Sequence, residues 1–139
     1  MDDGVAELRM TRTAARANVR PMRHALRSFL EALELAPDTV DDVLTAVGEV
    51  LANAVEHAYV DGAAGSVEVY AHVKGSSTLE IDVKDSGTYI ERSARVGRGF
   101  GLRIARAIAR SVEIDRSRGT RVHLSFDTDQ RRRHIRAVK

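Results

Sequence analysis

The sequence predicts a two-layer α/β sandwich, in which three helices cover one face of a mixed, mostly antiparallel sheet of about five strands. Segments with alternating apolar residues, which are typical of half-buried strands, occur mainly in adjacent pairs. Segments with helical spacing lie between them, in the order strand, helix, helix, strand, strand, helix, strand, strand. A doubly wound parallel fold would instead alternate single strands with single helices.

The N-terminal half supplies the first strand and two helices. Alternation predicts a strand over residues 5–13. Asn18 is a good N-cap residue for a helix that extends to Leu35. Pro37 interrupts the helical pattern, and a second helix, capped by Asp38, is predicted to run to about Val60.

The C-terminal half supplies a hairpin, one helix and a second strand pair. Residues 66–74 and 79–85 alternate on either side of a turn at residues 75–77. A loop then leads to a glycine-rich segment at residues 97–101, and a helix is predicted from Leu102 to about Val112. Two strands follow, at about residues 112–116 and 120–126.

Composition indicates one globular domain at residues 1–130 and a basic tail at 131–139. The chain has 139 residues, of which 43% are hydrophobic and 30% are charged. It has no cysteine, which excludes disulfides, thiolate metal sites and cysteine nucleophiles. No apolar run is long enough to span a bilayer and the N-terminus is acidic, so we expect a cytoplasmic protein without a membrane partner.

The net charge of +2 is local in origin, because basic residues crowd the tail: Arg131, Arg132, Arg133, Arg136 and Lys139. The chain has three Phe, three Tyr and no Trp, which leaves little surface for stacking bases. A solvated terminus is therefore favoured over a nucleic-acid arm, and no direct nucleic-acid partner is expected.

The second predicted helix carries a polar stripe among apolar residues. Glu49 and Asn53 lie one turn apart, and Glu56 and His57 extend the same face. Two interpretations stand: the stripe faces an internal cleft, or it is the solvated face of an amphipathic helix.

Two further clusters suit nucleotide binding, although each has an ordinary alternative. Gly97, Gly99 and Gly101 precede a helix and leave backbone N–H groups free to approach a phosphate, or they form a flexible hinge. No Gly-Lys-Ser/Thr follows, and Leu102 stands where a dinucleotide motif has its third glycine. Asp85, followed by Gly87, could accept a hydrogen bond from the amino group of adenine, or could simply open a turn.

In this order and spacing, the three clusters resemble the N box, G1 box and G2 box of the GHKL (Bergerat-fold) ATPases, and most closely those of the bacterial anti-sigma factor serine/threonine protein kinases. The matching motifs are Glu49-x-x-x-Asn53-x-x-x-His57, Asp85-x-Gly87 and Gly99-x-Gly101-Leu102. The N-terminal segment with Asn18, Arg23 and Phe29 is also similar to these kinases.

The resemblance implies roles for these residues with ATP and Mg²⁺. Asn53 would coordinate Mg²⁺, and Glu49 would act as the general base toward a serine hydroxyl. Asp85 would bind adenine beside Gly87. The phosphates would lie against the segment formed by Arg98, Gly99, Phe100, Gly101 and Leu102. For His57, a packed position beside the nucleotide is favoured over a catalytic role.

Two departures from the family pattern qualify this assignment. Thr88 and Tyr89 stand where the G1 box often has another glycine, which would stiffen or cover the adenine rim. The segment between Gly87 and Gly97 is shorter than the lid of sensor histidine kinases, which argues against a histidine-kinase catalytic domain.

The function implied by the resemblance is that of an anti-sigma factor with serine kinase activity. Such a homodimer would sequester an RNA polymerase sigma factor, and would phosphorylate a serine of an anti-anti-sigma partner. Arg20, Arg23 and Arg27 form a basic stripe suited to an acidic partner, although an ordinary solvated face fits the spacing equally well. The alternatives are a nucleotide-binding switch without catalysis, and a kinase whose target is not a sigma factor.

Overall fold

The computed structural model describes residues 6–61, 65–86, 98–117 and 119–128, and only the backbone for residues 57–61 and 98–101. In chain order the elements are β1 (Glu7–Thr13), a 3₁₀ turn (Arg16–Asn18), α1 (Val19–Ala32), α2 (Pro37–Asp61), β2 (Ser66–Lys74), β3 (Thr78–Asp85), α3 (Arg98–Ile108), β4 (Ser111–Asp115) and β5 (Thr120–Asp127). None of the described helices is long and apolar enough to cross a membrane.

The strands form one five-stranded sheet in the order β1-β2-β3-β5-β4. All four pairings between described strands are antiparallel, so the expectation of a mixed sheet was wrong for these strands. The tight β2–β3 turn at residues 75–77 begins with Gly75 at φ 66°, a backbone region that favours glycine. The two-layer architecture with five strands and three helices is confirmed.

The two faces of the sheet differ in polarity because successive side chains of a strand point to opposite sides. One side of β2 and β3 is apolar and buried, and it carries Val67, Val69, Ala71, Leu79, Ile81 and Val83. These residues form one core with the buried side chains of α1 and α2, including Met22, Leu26, Leu30, Val43 and Val47. The opposite side carries charged side chains, such as Arg9 bound to Glu68 at 2.8 Å and His123 with Asp82 at 2.6 Å.

The ends of the first two helices differ from the sequence prediction. Asn18 does not cap α1 with its side chain; its Nδ2 group donates instead to the Thr13 carbonyl at 2.7 Å. α1 ends at Ala32, before the predicted Leu35, and Glu34 adopts the left-handed region at φ 61°, which stops the helix. α2 begins at Pro37, so Asp38 lies in its first turn and does not precede it.

The third helix also begins earlier than predicted. α3 starts at Arg98 and includes Gly99 and Gly101, which the sequence assigned to a loop because glycine is a poor helix former. Its later residues supply the compensating burial, since Ala105 is fully buried and Leu102 and Ile108 pack against the core. The helix ends at Ile108, short of the predicted Val112, and β4 follows from Ser111.

Candidate functional site

The polar stripe of α2 lies partly at the edge of the core. Glu49 and Asn53 are both half-buried, while Glu56, further along the stripe, is exposed. Val50 and Leu51, which come directly after Glu49, are buried at 2% and 1% exposure. The side chain of His57 lies outside the described residues. The helix therefore holds a carboxylate and a carboxamide at the boundary between core and solvent.

A groove between α1 and α2 contains Glu49 at one side. Its volume is about 410 Å³, and it is lined by Val19, Arg23, Leu44, Thr45, Gly48 and Glu49. It thus combines apolar side chains with one positive and one negative side chain.

The three arginines of α1 are not equivalent in this arrangement. Arg20 and Arg27 are exposed, and Arg27 lies 3.7 Å from Glu31 of the next turn. Arg23 is half-buried and lines the groove, and its Nε atom is buried without a hydrogen-bond partner among the described residues. The predicted basic stripe therefore places one arginine against α2 and two in solvent.

The second cluster lies at the end of β3, on the face that the helices cover. Asp85 is 6% exposed and continues the buried alternation of Ile81 and Val83. Just after it, the backbone N–H of Ser86 donates to the Ser66 carbonyl at 3.1 Å, and the Ser66 N–H donates to the Ser86 hydroxyl at 3.0 Å. These bonds fix the chain where it leaves the strand. Gly87 lies outside the described residues.

Thr120 faces Asp85 across the β3–β5 pair and was missed from the sequence. The two residues are direct antiparallel partners, so their side chains leave the sheet on the same face. The Thr120 Oγ1 atom is buried and has no hydrogen-bond partner among the described residues. A buried polar atom without a partner is uncommon, and it fits a site whose partner arrives with a ligand. The available sequence signal was Gly119-Thr120 at the start of a strand, with Gly119 at φ 69°.

The glycine-rich segment forms the first turn of α3. In an α-helix the backbone N–H groups of the first three residues, here Arg98 to Phe100, have no acceptor within the helix, and they lie at its positive end. The side chains of Arg98 and Phe100 lie outside the described residues. Leu102, predicted at the nucleotide, is half-buried and packs against the core.

α2 contacts the two described elements that carry the other clusters. α2 packs against α3 and against β3, and Asp85 lies on the helix-covered side of β3. The fold thus brings onto one side of the sheet a carboxylate–hydroxyl pair, a carboxylate–carboxamide pair and a helix N-terminus. Such a set can hold a flat base with an amino group, a hydrated cation and phosphate oxygens.

Comparison with known proteins identifies the family of this chain. Residues 12–126 match the family described as histidine kinase-like ATPase domain. The anti-sigma F factor of Clostridium kluyveri is 29% identical over 114 residues, which cover 72% of this chain and 79% of that protein.

Solved structures share the fold. The RsbU and RsbW domains of Rv1364c from Mycobacterium tuberculosis superpose with a TM-score of 0.70 at 27% identity, over 86% of this chain and 32% of that one. This chain therefore spans about a third of the length of that solved chain. The SiaB–SiaC complex from Pseudomonas aeruginosa gives a TM-score of 0.60 at 15% identity, over 86% of this chain and 88% of that one, which shows the fold alone. The family match extends over most of the chain and includes every cluster described above, and the chain therefore belongs to the histidine kinase-like ATPase domain family.

Proposed function

We propose that this protein is an anti-sigma factor with ATP-dependent serine kinase activity, which phosphorylates an anti-anti-sigma partner. The observation that carries the nucleotide part is the pairing of buried Asp85 with half-buried Thr120, whose Oγ1 atom is buried and lacks a partner among the described residues. The regulatory part is supported by the similarity to an anti-sigma F factor and to a protein with an RsbW domain.

Asp85 and Thr120 are the candidate residues for adenine. A carboxylate only accepts hydrogen bonds, which suits the exocyclic amino group, whereas a hydroxyl can donate to a ring nitrogen or hold a water beside it. Because Asp85 is 6% exposed, bulk water competes little for the carboxylate.

Asn53 and the first turn of α3 are the candidate residues for the metal and the phosphates. Mg²⁺ is usually held by one or two protein oxygens together with phosphates and water, so one half-buried carboxamide on α2 is sufficient. The N–H groups of the first helical turn, at Arg98 to Phe100, have no acceptor within the helix and suit phosphate oxygens. When bound, Mg-ATP supplies the phosphoryl group and the positive charge that balances it.

Glu49 is the candidate general base. It lies one helical turn before Asn53 and faces the groove that Arg23 also lines. A half-buried carboxylate in this place can orient a serine hydroxyl and accept its proton. Arg23 in the same groove suits an acidic segment of the partner. The proposal also includes that the protein forms a homodimer and sequesters a sigma factor.

The test compares Glu49→Gln with the wild-type protein. Partners are co-purified from the source cell, incubated with labelled ATP and mapped for phosphoserine. Glutamine keeps the size and helix propensity of glutamate but cannot accept the proton. We expect unchanged Mg-ATP affinity and a loss of phosphotransfer of about 100-fold.

Glu56→Gln is the matched control, because it makes the same change at an exposed position of the same stripe. It should leave phosphotransfer unchanged. Wild-type protein that binds ATP but yields no phosphoserine on any captured partner would support the nucleotide-binding switch instead. Light scattering of the purified protein tests the homodimer.

A further inference from the structure

Gly48 lies directly under the side chain of Arg23, where α1 crosses α2. A Cβ atom placed on Gly48 would lie 2.8 Å from Arg23 Nε and 3.3 Å from its Cδ atom. Real Cβ contacts do not come below 3.0 Å, so any larger residue at this position would displace the arginine. The absence of a side chain at Gly48 is therefore what lets Arg23 rest on α2.

The position of Arg23 has a free-energy cost that packing alone does not explain. Its Nε atom is buried and has no hydrogen-bond partner among the described residues, and a buried donor without a partner destabilises the fold. Arg20 and Arg27, on the same helix, remain exposed. In addition, a glycine inside α2 is less favourable for the helix than alanine. Two locally unfavourable features thus coincide at one contact.

Both features lie in the groove that Glu49 also lines. Arg23, Gly48 and Glu49 line the same groove, together with the apolar Val19 and Leu44. We propose that Gly48 is a positioning residue that holds the Arg23 guanidinium in this groove. An acidic segment of the partner is then bound next to Glu49, the carboxylate that accepts the proton of the serine hydroxyl. The identity of the partner in this inference rests on the proposed kinase function. The position of Arg23 over Gly48 does not depend on that function.

The substitution Gly48→Ala separates this role from a structural one. The atoms in the way belong to the outer part of a flexible side chain, so the arginine moves and the backbone stays. Alanine also favours the helix. We therefore expect an unchanged or higher denaturation midpoint, whereas a residue needed only for close helix packing would give a lower one.

The first measurement follows the Arg23 Nε–H signal by ¹H–¹⁵N NMR in the free protein. In the wild type its exchange with water should be slow, because the atom is buried, and slower than that of the exposed Arg20. Gly48→Ala should shift the signal and bring its exchange close to that of Arg20. A wild-type signal that exchanges as fast as Arg20, or that is unaffected by Gly48→Ala, would overturn the inference whatever the kinase assay gives.

The second measurement uses the serine-bearing partner mapped in the phosphoserine experiment. Gly48→Ala should raise the KM for that partner about tenfold, and more than it lowers kcat, because a lost charged hydrogen bond mainly weakens partner binding. In an Arg23→Ala background the same change should have no further effect on KM. Equal losses in both backgrounds would refute positioning through Arg23. By contrast, absence of phosphoserine with the wild type contradicts the proposed function, and the NMR result then decides the role of Gly48 alone.

Discussion

Replacing Asp85 by Asn tests base recognition with little change in shape. The carboxylate is 6% exposed on the helix-covered face of the sheet, so its hydrogen bond to an amino group would be formed largely away from water. Asparagine can still accept this bond but without the charge, so the loss is the difference between a charged and a neutral hydrogen bond, about 1–1.5 kcal/mol or about tenfold in affinity. We expect the affinities for ATP and ADP to fall by the same factor, because both contain adenine.

Calorimetry with inosine triphosphate sharpens the test, since its base has a carbonyl where adenine has the amino group. The wild-type protein should bind ATP more tightly than inosine triphosphate, because a carboxylate repels a carbonyl oxygen. Asp85→Asn should reduce or reverse this preference, since a carboxamide can also donate. Asp82→Asn is the matched control, because Asp82 lies on the opposite face of β3 and pairs with His123. Unchanged ATP affinity and base preference in Asp85→Asn would refute the adenine assignment.

Other predictions concern the metal, a strand end and the core. Asn53→Ala should weaken ATP binding in Mg²⁺ much more than in EDTA, and equal losses would point to helix packing. The backbone N–H and the hydroxyl of Ser117 donate to Asp115 at 2.9 and 2.7 Å, and these hydrogen bonds lower the pKa of Asp115. The contact therefore stabilises the fold at pH values above the pKa of Asp115 in the unfolded chain, and this stabilisation is lost as the pH falls through the lower pKa of the folded state. Ser117→Ala, followed by NMR titration, should raise the Asp115 pKa only in part, since the backbone donor remains; a full return to 3.8 would contradict this. Ile81→Ala should lower the free energy of unfolding by about 2–5 kcal/mol in denaturant titration, whereas the exposed Lys84→Ala should change it little.

Sequence periodicity located the strands well because it reflects the same alternation that the sheet imposes. β2 and β3 were predicted to within a residue or two, since one face of each is apolar. The helix ends were less predictable. The start of α3 depends on burial of residues such as Ala105, which offsets the cost of glycine, and the sequence does not display that burial.

Motif spacing identifies candidate residues within one segment of the chain, but it does not show contacts between distant segments. Glu49, Asn53 and Asp85 were singled out because each belongs to a local pattern. Thr120 has only a Gly-Thr pair at a strand start as a local signal, and the pairing of β5 with β3 is what places it beside Asp85. In the same way, the spacing of the α1 arginines could not show that Arg23 alone rests on α2, because that depends on where the two helices cross.

The strand order also bears on how the chain folds. β2 and β3 are joined by residues 75–77, whereas β1 must pair with β2 across residues 14–65, which contain α1 and α2. Closing the longer loop costs more chain entropy, so we expect the hairpin to form early and β1 to join late. Any partly folded chain that lacks β1 would expose the edge of β2, whose free N–H and C=O groups can pair with another molecule. Correct docking of the first strand therefore also protects the newly made chain from aggregation.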